Sequence, residues 1–430
     1  MNKFIEELIK DREEYAYWLE RKPALRRIVE DLYPDKAHFI YELLQNAEDA
    51  SAKTVSFSLS KEQLTCSHDG RPFNDQDISA ITDIGESSKK DDDNSIGRFG
   101  IGFKAVFVYT ESPRVKSGNL DFTIERFVVP TFRNPCNHDA VTVFEFPFNS
   151  KKKTPQESYK EIGHALKQLS GSALLFLRNI RKVEWFVDGE FLGSIKREEF
   201  SDNHISITQK SDSDSMPVVV NWLRYITLFG EKETLFSSIA FKLREKPKKT
   251  NNTDSEKATL AERFVVEGIK RGTVSAFFPA EKETSGLRFH VHAPFVTELS
   301  RASVKDTPEN DRLYDYLADT IEKALHEVKS IGLLDRNFLE AMPNSSDPVS
   351  KKYQVIRDRV KKSLMNEELV PTLEGSFKKG KLLHLTKSTI ARAINTLDFA
   401  NLTRNSIDSV GWSIISLSLI HISEPTRHTR

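Results

Sequence analysis

The 430-residue sequence predicts an α+β protein, with helices packed on one face of a sheet and a second α/β domain behind it. Three observations predict it. Apolar residues recur at helical spacing through 1–50, segments rich in Phe, Val and Thr dominate 122–148, and the pattern restarts with a helix near residue 155. The length exceeds one ordinary core, so two or three domains are the starting expectation.

Within 1–50, Pro23 and Pro34 are the expected interruptions. Residues 55–59 alternate as a strand, 63–67 read as a second, and His68-Asp69-Gly70-Arg71-Pro72 reads as the turn beyond it. A helix follows over 75–84. Segment 85–95, GESSKKDDDNS, has the polar, charged composition of an exposed and mobile loop. Past 150, a helix over 157–169 leads into strands over 185–195 and 205–207. Polar stretches at 211–215 and 246–257 read as surface loops, 273–278 and 287–292 as strands, and 311–331 as a long helix that ends the unit. Residues 351–411 carry further helix and a turn in LVPTLEGSF.

The expected domains are therefore 1–150, 151–345, the start of a further C-terminal region over 346–416, and a tail over 417–430. Within that tail, LSLIHISEPTR reads as a translated sequencing adapter, which implies a natural protein continuing further; an ordinary amphipathic tail is the alternative.

Composition excludes several function classes. Hydrophobic residues at 38% and charged residues at 29% describe a soluble globular chain rather than a disordered or fibrous one. Lys plus Arg equals Asp plus Glu at 63 each, so no global field draws the chain to nucleic acid or an anionic membrane. The short basic runs 151–153 and 246–249 read as solvated loops. Cys66 and Cys136 have no paired spacing, which fits a reducing compartment, with cytoplasm the default, and excludes a zinc ribbon. No secretory signal is visible, and no stretch approaches the roughly 18 apolar residues that span a bilayer. H-E-x-x-H and G-x-S-x-G are both lacking, and His290 and His292 alternate on a strand as structural residues do.

Three local signals carry chemistry. In HFIYELLQNAEDA, residues 38–50, Glu42, Asn46 and Asp49 are spaced by four and three. At ~100° per residue they fall on one narrow helix arc, beside an apolar stripe of Phe39, Leu43 and Ala47. An amide oxygen is a hard magnesium ligand and a carboxylate can take a proton from water. A solvated polar face would give the same pattern. Next, Asp69 at the end of a strand could accept a hydrogen bond from an exocyclic amine, with Gly70 allowing close backbone approach; a plain Asp-Gly turn is the alternative. Third, Gly97-Arg98-Phe99-Gly100-Ile101-Gly102 opens into an apolar helix, where backbone amides can face a phosphate; a packing cluster of glycines would look alike. The segment is neither a Walker A loop nor a dinucleotide fingerprint.

The order of these signals resembles the GHKL ATPases, which include gyrase, MutL and the ninety-kilodalton heat-shock chaperone. Glu42-x-x-x-Asn46-x-x-Asp49-Ala50 is similar to their N-box, and Gly97-x-x-Gly100-x-Gly102 to their second glycine box. Asp-Gly-x-Pro-Phe from Asp69, IGESSK at 84–89 and TVFEFPF at 142–148 look like the sacsin-type branch. Arg71 and Phe73 stand where the usual D-x-G-x-G has its glycines, and Val141 where a glycine usually precedes Thr142.

The resemblance implies a Bergerat-type ATP-binding sandwich followed by a transducer-like middle domain, with ATP and Mg2+ as cofactors. It implies that Glu42 polarises the attacking water, Asn46 holds magnesium, and Asp69 reads adenine. It further implies that Ser88 and Lys89 belong to a lid over 85–95, that Asp49, Gly70, Gly97, Gly100, Ile101 and Gly102 line the nucleotide site, and that Thr142 is the threonine of the last ATP-site strand. In SGLRFHVHAPFVTELSRASV, Arg301 resembles the arginine that reaches toward the terminal phosphate in the chaperone; pairing with a surface acid is the alternative. The expected activity is a slow magnesium-dependent ATPase acting through lid closure. A non-hydrolysing scaffold and the ATPase module of a nucleic-acid-processing or phage-defence protein are the alternatives. A protein client or effector and a homodimer are the implied partners, with no nucleic acid within this fragment and no membrane.

Overall fold

The computed structural model describes residues 3–21, 39–83, 102–133, 138–230, 235–247, 258–298, 301–384, 393–394, 396–403 and 411–412. Pro23, Pro34, the 85–95 segment with Ser88 and Lys89, Gly97, Gly100, Ile101, Cys136, nearly all of the 246–257 loop and the 417–430 tail lie outside them. Two compact units emerge. The first comprises 1–199, 206–219 and 298–301; the second comprises 200–205, 220–297 and 302–430. The expected boundary near 150 falls inside the first unit, and the expected break near 346 falls inside the second.

In the first unit, α1 (Lys3–Arg21) and α2 (Phe39–Asp49) precede a hairpin of β1 (Thr54–Leu59) and β2 (Gln63–His68). Then come α3 (Asp75–Thr82), a 3₁₀ segment (Gly102–Val108), β3 (Arg114–Gly118), β4 (Leu120–Glu125), β5 (Val129–Phe132), β6 (His138–Pro147), α4 (Pro155–Gln168), α5 (Ser172–Leu175), β7 (Lys182–Val187) and β8 (Glu190–Glu199). Residues 206–219 carry most of β9 (His204–Lys210).

The strands line up as β5-β4-β3-β6-β2-β1-β7-β8. Every pairing is antiparallel except β1 with β7, where Val55 lies opposite Val183. That parallel pairing makes the sheet mixed and draws 155–199 into the first unit, which sequence reading divides at 150.

Alternation decides the faces. Val55, Phe57 and Leu59 of β1, Leu64, Cys66 and His68 of β2, and Phe144 and Phe146 of β6 share the buried side. Phe39 of α2 meets Phe146 at 6.0 Å, Phe103 of the 3₁₀ segment meets Phe144 at 6.0 Å, and Gly163 of α4 packs on Leu59. Helices therefore cover that face, each buried Phe or Leu contributing about 1.5–3 kcal/mol. The opposite side carries ion pairs such as Lys116 with Glu145 at 2.5 Å, as a sheet with one wetter face does. Lys153 of the expected solvated run instead pairs with Glu161 and lies 4.8 Å from the Tyr109 ring centre, so its stem is held against the fold.

In the second unit, β10 (Val218–Phe229) and β11 (Leu235–Glu245) pair antiparallel, and β11 also pairs with β12 (Phe264–Glu267) and β15 (His290–His292). A short helix, α6 (Leu260–Arg263), precedes β12. β13 (Val274–Ala276) runs parallel to β15 and pairs with β14 (Phe278–Pro279). The expected long helix is α7 (Pro308–Ser330), which buries Leu317, Ile321, Leu325 and Val328; α8 (Arg336–Ala341) and α9 (Gln354–Asn366) join the same core. His290 Nδ1 accepts from Thr273 N–H at 2.8 Å and His292 Nδ1 from Phe277 N–H at 3.1 Å. Among the described residues no cluster of His, Cys, Asp or Glu could hold a metal ion, and no helix is long and apolar enough to cross a membrane.

Candidate nucleotide site

The site builds from α2. Phe39, Leu43 and Ala47 are buried as the stripe predicts, and Ile40 and Leu44 are buried too, so the helix is enclosed on more than one side. Glu48 explains part of that enclosure. Its carboxylate accepts N–H groups from Arg178 at 2.7 Å, Asn179 at 2.8 Å and Ile180 at 2.9 Å, fixing α2 to the segment ahead of β7.

Glu42 is buried, and Arg301 meets it. Arg301 Nε lies 2.9 Å from Glu42 Oε1, Nη2 donates to Oε2 at 3.2 Å, and Nη1 donates to Gln45 Oε1. Residues 298–301 belong to the first unit, so this contact lies within it. Arg301 takes a left-handed backbone with φ 53°, a costly conformation for a side-chain-bearing residue. The arginine's partner is thus a buried acid of the site rather than an acid of the open surface. One turn on, Asn46 is half-buried and its amide makes no side-chain hydrogen bond among the described residues. Asp49 is half-buried, and its charge adds to the raised pKa of Arg71, whose main cause is the hydrogen bond that Arg71 donates to Asp77.

The end of α2 abuts the turn after β2. Arg71 N–H donates to Ala50 O at 2.8 Å, and a Cβ at Gly70 would lie 2.7 Å from that same oxygen. Gly70 is buried because α2 approaches it, so the closeness a glycine allows is used by the chain itself. Arg71 pairs with Asp77 of α3 at 2.5 Å, and Asp77 completes a capping box with Asn74.

Asp69 has a geometry other than the expected base reader. It is exposed, and its Oδ1 accepts N–H groups of Lys53 at 2.7 Å and Thr54 at 2.9 Å, which anchors the start of β1. The residue turned inward is its neighbour His68, only 2% exposed. His68 lies opposite Thr142 in register, and Thr142 lies opposite Ser117. Thr142 is fully buried, with its Oγ1 2.6 Å from Ser117 Oγ, which also accepts Phe73 N–H at 2.9 Å. Three polar groups thus lie in a row across β2, β6 and β3 on a face that is otherwise apolar.

Gly102 begins a 3₁₀ segment rather than the expected apolar helix. Its Lys104 is buried and donates to Ile81 O at 2.8 Å and Phe127 O at 2.9 Å, tying the segment to α3 and the β4–β5 turn. Burial pushes that amine's pKa down to about 7, with the charge of Arg12 adding to the shift. Spacing alone missed His68, Ser117, Gln45 and Glu48. Alternation could have found His68, because it continues the inward set Leu64 and Cys66 by one step.

A helix with an acid, an amide and a second acid on one arc lies over a sheet whose end carries buried polar groups, and in this region the chain is similar to sacsin-like proteins and, more weakly, to HtpG chaperones. Residues 22–125 match the Sacsin domain family model. The chain is 25% identical to Protein NO VEIN of Arabidopsis thaliana over 346 residues, covering 73% of this chain and 12% of that protein. It is 30% identical to human Sacsin over 104 residues, covering 20% of this chain and 2% of that protein. It is 25% identical to the chaperone protein HtpG of Bacillus velezensis over 239 residues, covering 45% and 38%. The chain thus spans only a small part of the first two relatives.

Proposed function

We propose that the first unit is a Bergerat-type module that binds ATP with Mg2+ and hydrolyses it slowly. The observation that carries this reading is the α2 arc: Glu42 held by Arg301, with the Asn46 amide open one turn away. The donor set fits the ligand. Asn46 offers a hard amide oxygen for magnesium, Thr142 and Ser117 offer hydroxyls, and Arg301 offers a guanidinium to a terminal phosphate. Bound magnesium would neutralise phosphate charge; Glu42 would orient water and accept its proton once Arg301 shifts from carboxylate to phosphate.

In this reading 85–95, with Ser88 and Lys89, forms the lid, Gly97, Gly100, Ile101 and Gly102 meet the phosphates, and the second unit acts as the middle domain. A protein client or effector receives the motion, and a homodimer is the working form, as an HtpG-like chaperone module would have it. Glu42→Ala should keep ATP affinity and lose phosphate release; unchanged hydrolysis rejects the assigned role.

A second reading, a nucleotide-binding scaffold that does not hydrolyse, is favoured by the same ion pair, because a carboxylate held by a guanidinium is a poor base. Purified protein that binds ATP but releases no phosphate over hours supports it.

A further inference from the structure

Resting on the nucleotide reading, we propose that His68 is the base-reading residue of the site, and that it offers an N–H donor where a carboxylate would offer an acceptor. Its ring is oriented by one contact. Gly70 N–H donates to His68 Nδ1 at 3.1 Å, and an amide N–H can only donate, so the neutral ring carries its proton on Nε2. Burial holds the ring neutral, with its pKa pushed down to about 4 against the opposing charge of Asp69. Nε2 is itself buried and has no hydrogen-bond partner among the described residues.

A buried donor left unmet is costly, and folded chains retain such groups where a ligand completes them. The rest of the row points the same way. Thr142 and Ser117 are hydrogen-bonded to each other beside His68, while Phe144, 6.1 Å from the imidazole centre, supplies an apolar flank for a flat ring. Asp69 is on the outside, with Oδ1 held by Lys53 and Thr54, so it does not supply the acceptor.

The chemistry sets the selectivity. A carboxylate would read the exocyclic 6-amino group of adenine; an Nε2–H donor instead needs an acceptor on the purine edge, a ring nitrogen or a 6-oxo group. The site should therefore tolerate replacement of the 6-amino group by oxygen.

Calorimetric titration of the full chain with Mg2+ and ATP, ITP, the 1-deaza and 7-deaza analogues of ATP, or inorganic tripolyphosphate tests this without any variant. ITP is expected within about threefold of ATP, and one of the two deaza analogues about tenfold weaker. His68→Asp, which exchanges donor for acceptor, should turn the preference toward ATP over ITP by about tenfold, and His68→Gln, which keeps a donor, should leave the ratio near the original. Wild-type protein that favours ATP over ITP by more than about tenfold, or a ratio unmoved by His68→Asp in folded protein, overturns the assignment while leaving nucleotide binding intact. Absence of binding by every triphosphate overturns the nucleotide reading and this assignment with it.

Discussion

Arg301 Nε lies 2.9 Å from Glu42 Oε1, so the acid and the arginine assigned to opposite sides of one reaction hold each other. Breaking such a pair leaves a buried carboxylate alone, which costs more than the pair itself contributes. Arg301→Ala should therefore destabilise the first unit by about 1–3 kcal/mol, while Arg301→Ala with Glu42→Gln should recover part of the loss. Denaturant midpoints of the two single variants and the double variant check this; strictly additive effects would show that the two side chains do not interact.

On the proposed reading, Asn46 acts on a ligand and not on the fold. Half-buried, with an amide unengaged among the described residues, it should tolerate Asn46→Ala with a stability change within about 0.5 kcal/mol. The same substitution should weaken Mg-dependent ATP binding by about tenfold or more, and chelating Mg2+ with EDTA should weaken the wild type to a similar degree. Titrations with and without EDTA check it; an Asn46→Ala protein that still gains affinity from Mg2+ as the wild type does contradicts the role.

Glu48 is the opposite case, an acid in the same motif that serves the fold. Its three backbone N–H partners lie about 130 residues away in the chain, at 178–180. Glu48→Gln removes the charge and one acceptor and should cost about 1.5–3 kcal/mol, with little effect on the ATP affinity of the protein that remains folded. Chemical denaturation alongside nucleotide titration separates the two effects.

Those residues and their neighbours show what was legible. Helix α2 was readable because the spacing of Phe39, Leu43 and Ala47 is a local property that packing preserved. Strand β2 was readable to Ser67, one residue short of its end, so His68 was read as part of the turn and Asp69 was singled out for its carboxylate. Alternation over a short strand has no margin for such a slip, since one step exchanges the faces. The grip of Arg301 on Glu42 spans 259 positions, and the parallel pairing of β1 with β7 joins residues 128 apart (183 − 55). No periodicity encodes either; both are decided when the chain closes, which is why the domain boundary expected at 150 missed the strands that complete the first sheet.

Three histidines withdrawn from water dominate the acid behaviour, with His204 shifted in the same direction. Desolvation pushes the pKa of His68 and His290 down to about 4 and that of His292 down to about 3, against an ordinary value near 6.5. As pH falls below about 6.5 the unfolded chain takes up these protons while the folded chain does not, so the unfolded state gains stability over that window. The contribution is complete above the unfolded value and is lost as pH drops through about 4. Stability in denaturant should therefore decline between about pH 6.5 and 4 with a slope of up to about three protons, and His290→Gln should reduce that slope by about one. Gln can still accept from Thr273 N–H, so the variant separates proton uptake from the lost hydrogen bond. A slope unchanged in folded His290→Gln would mean that this imidazole protonates in the native state as readily as in the unfolded chain.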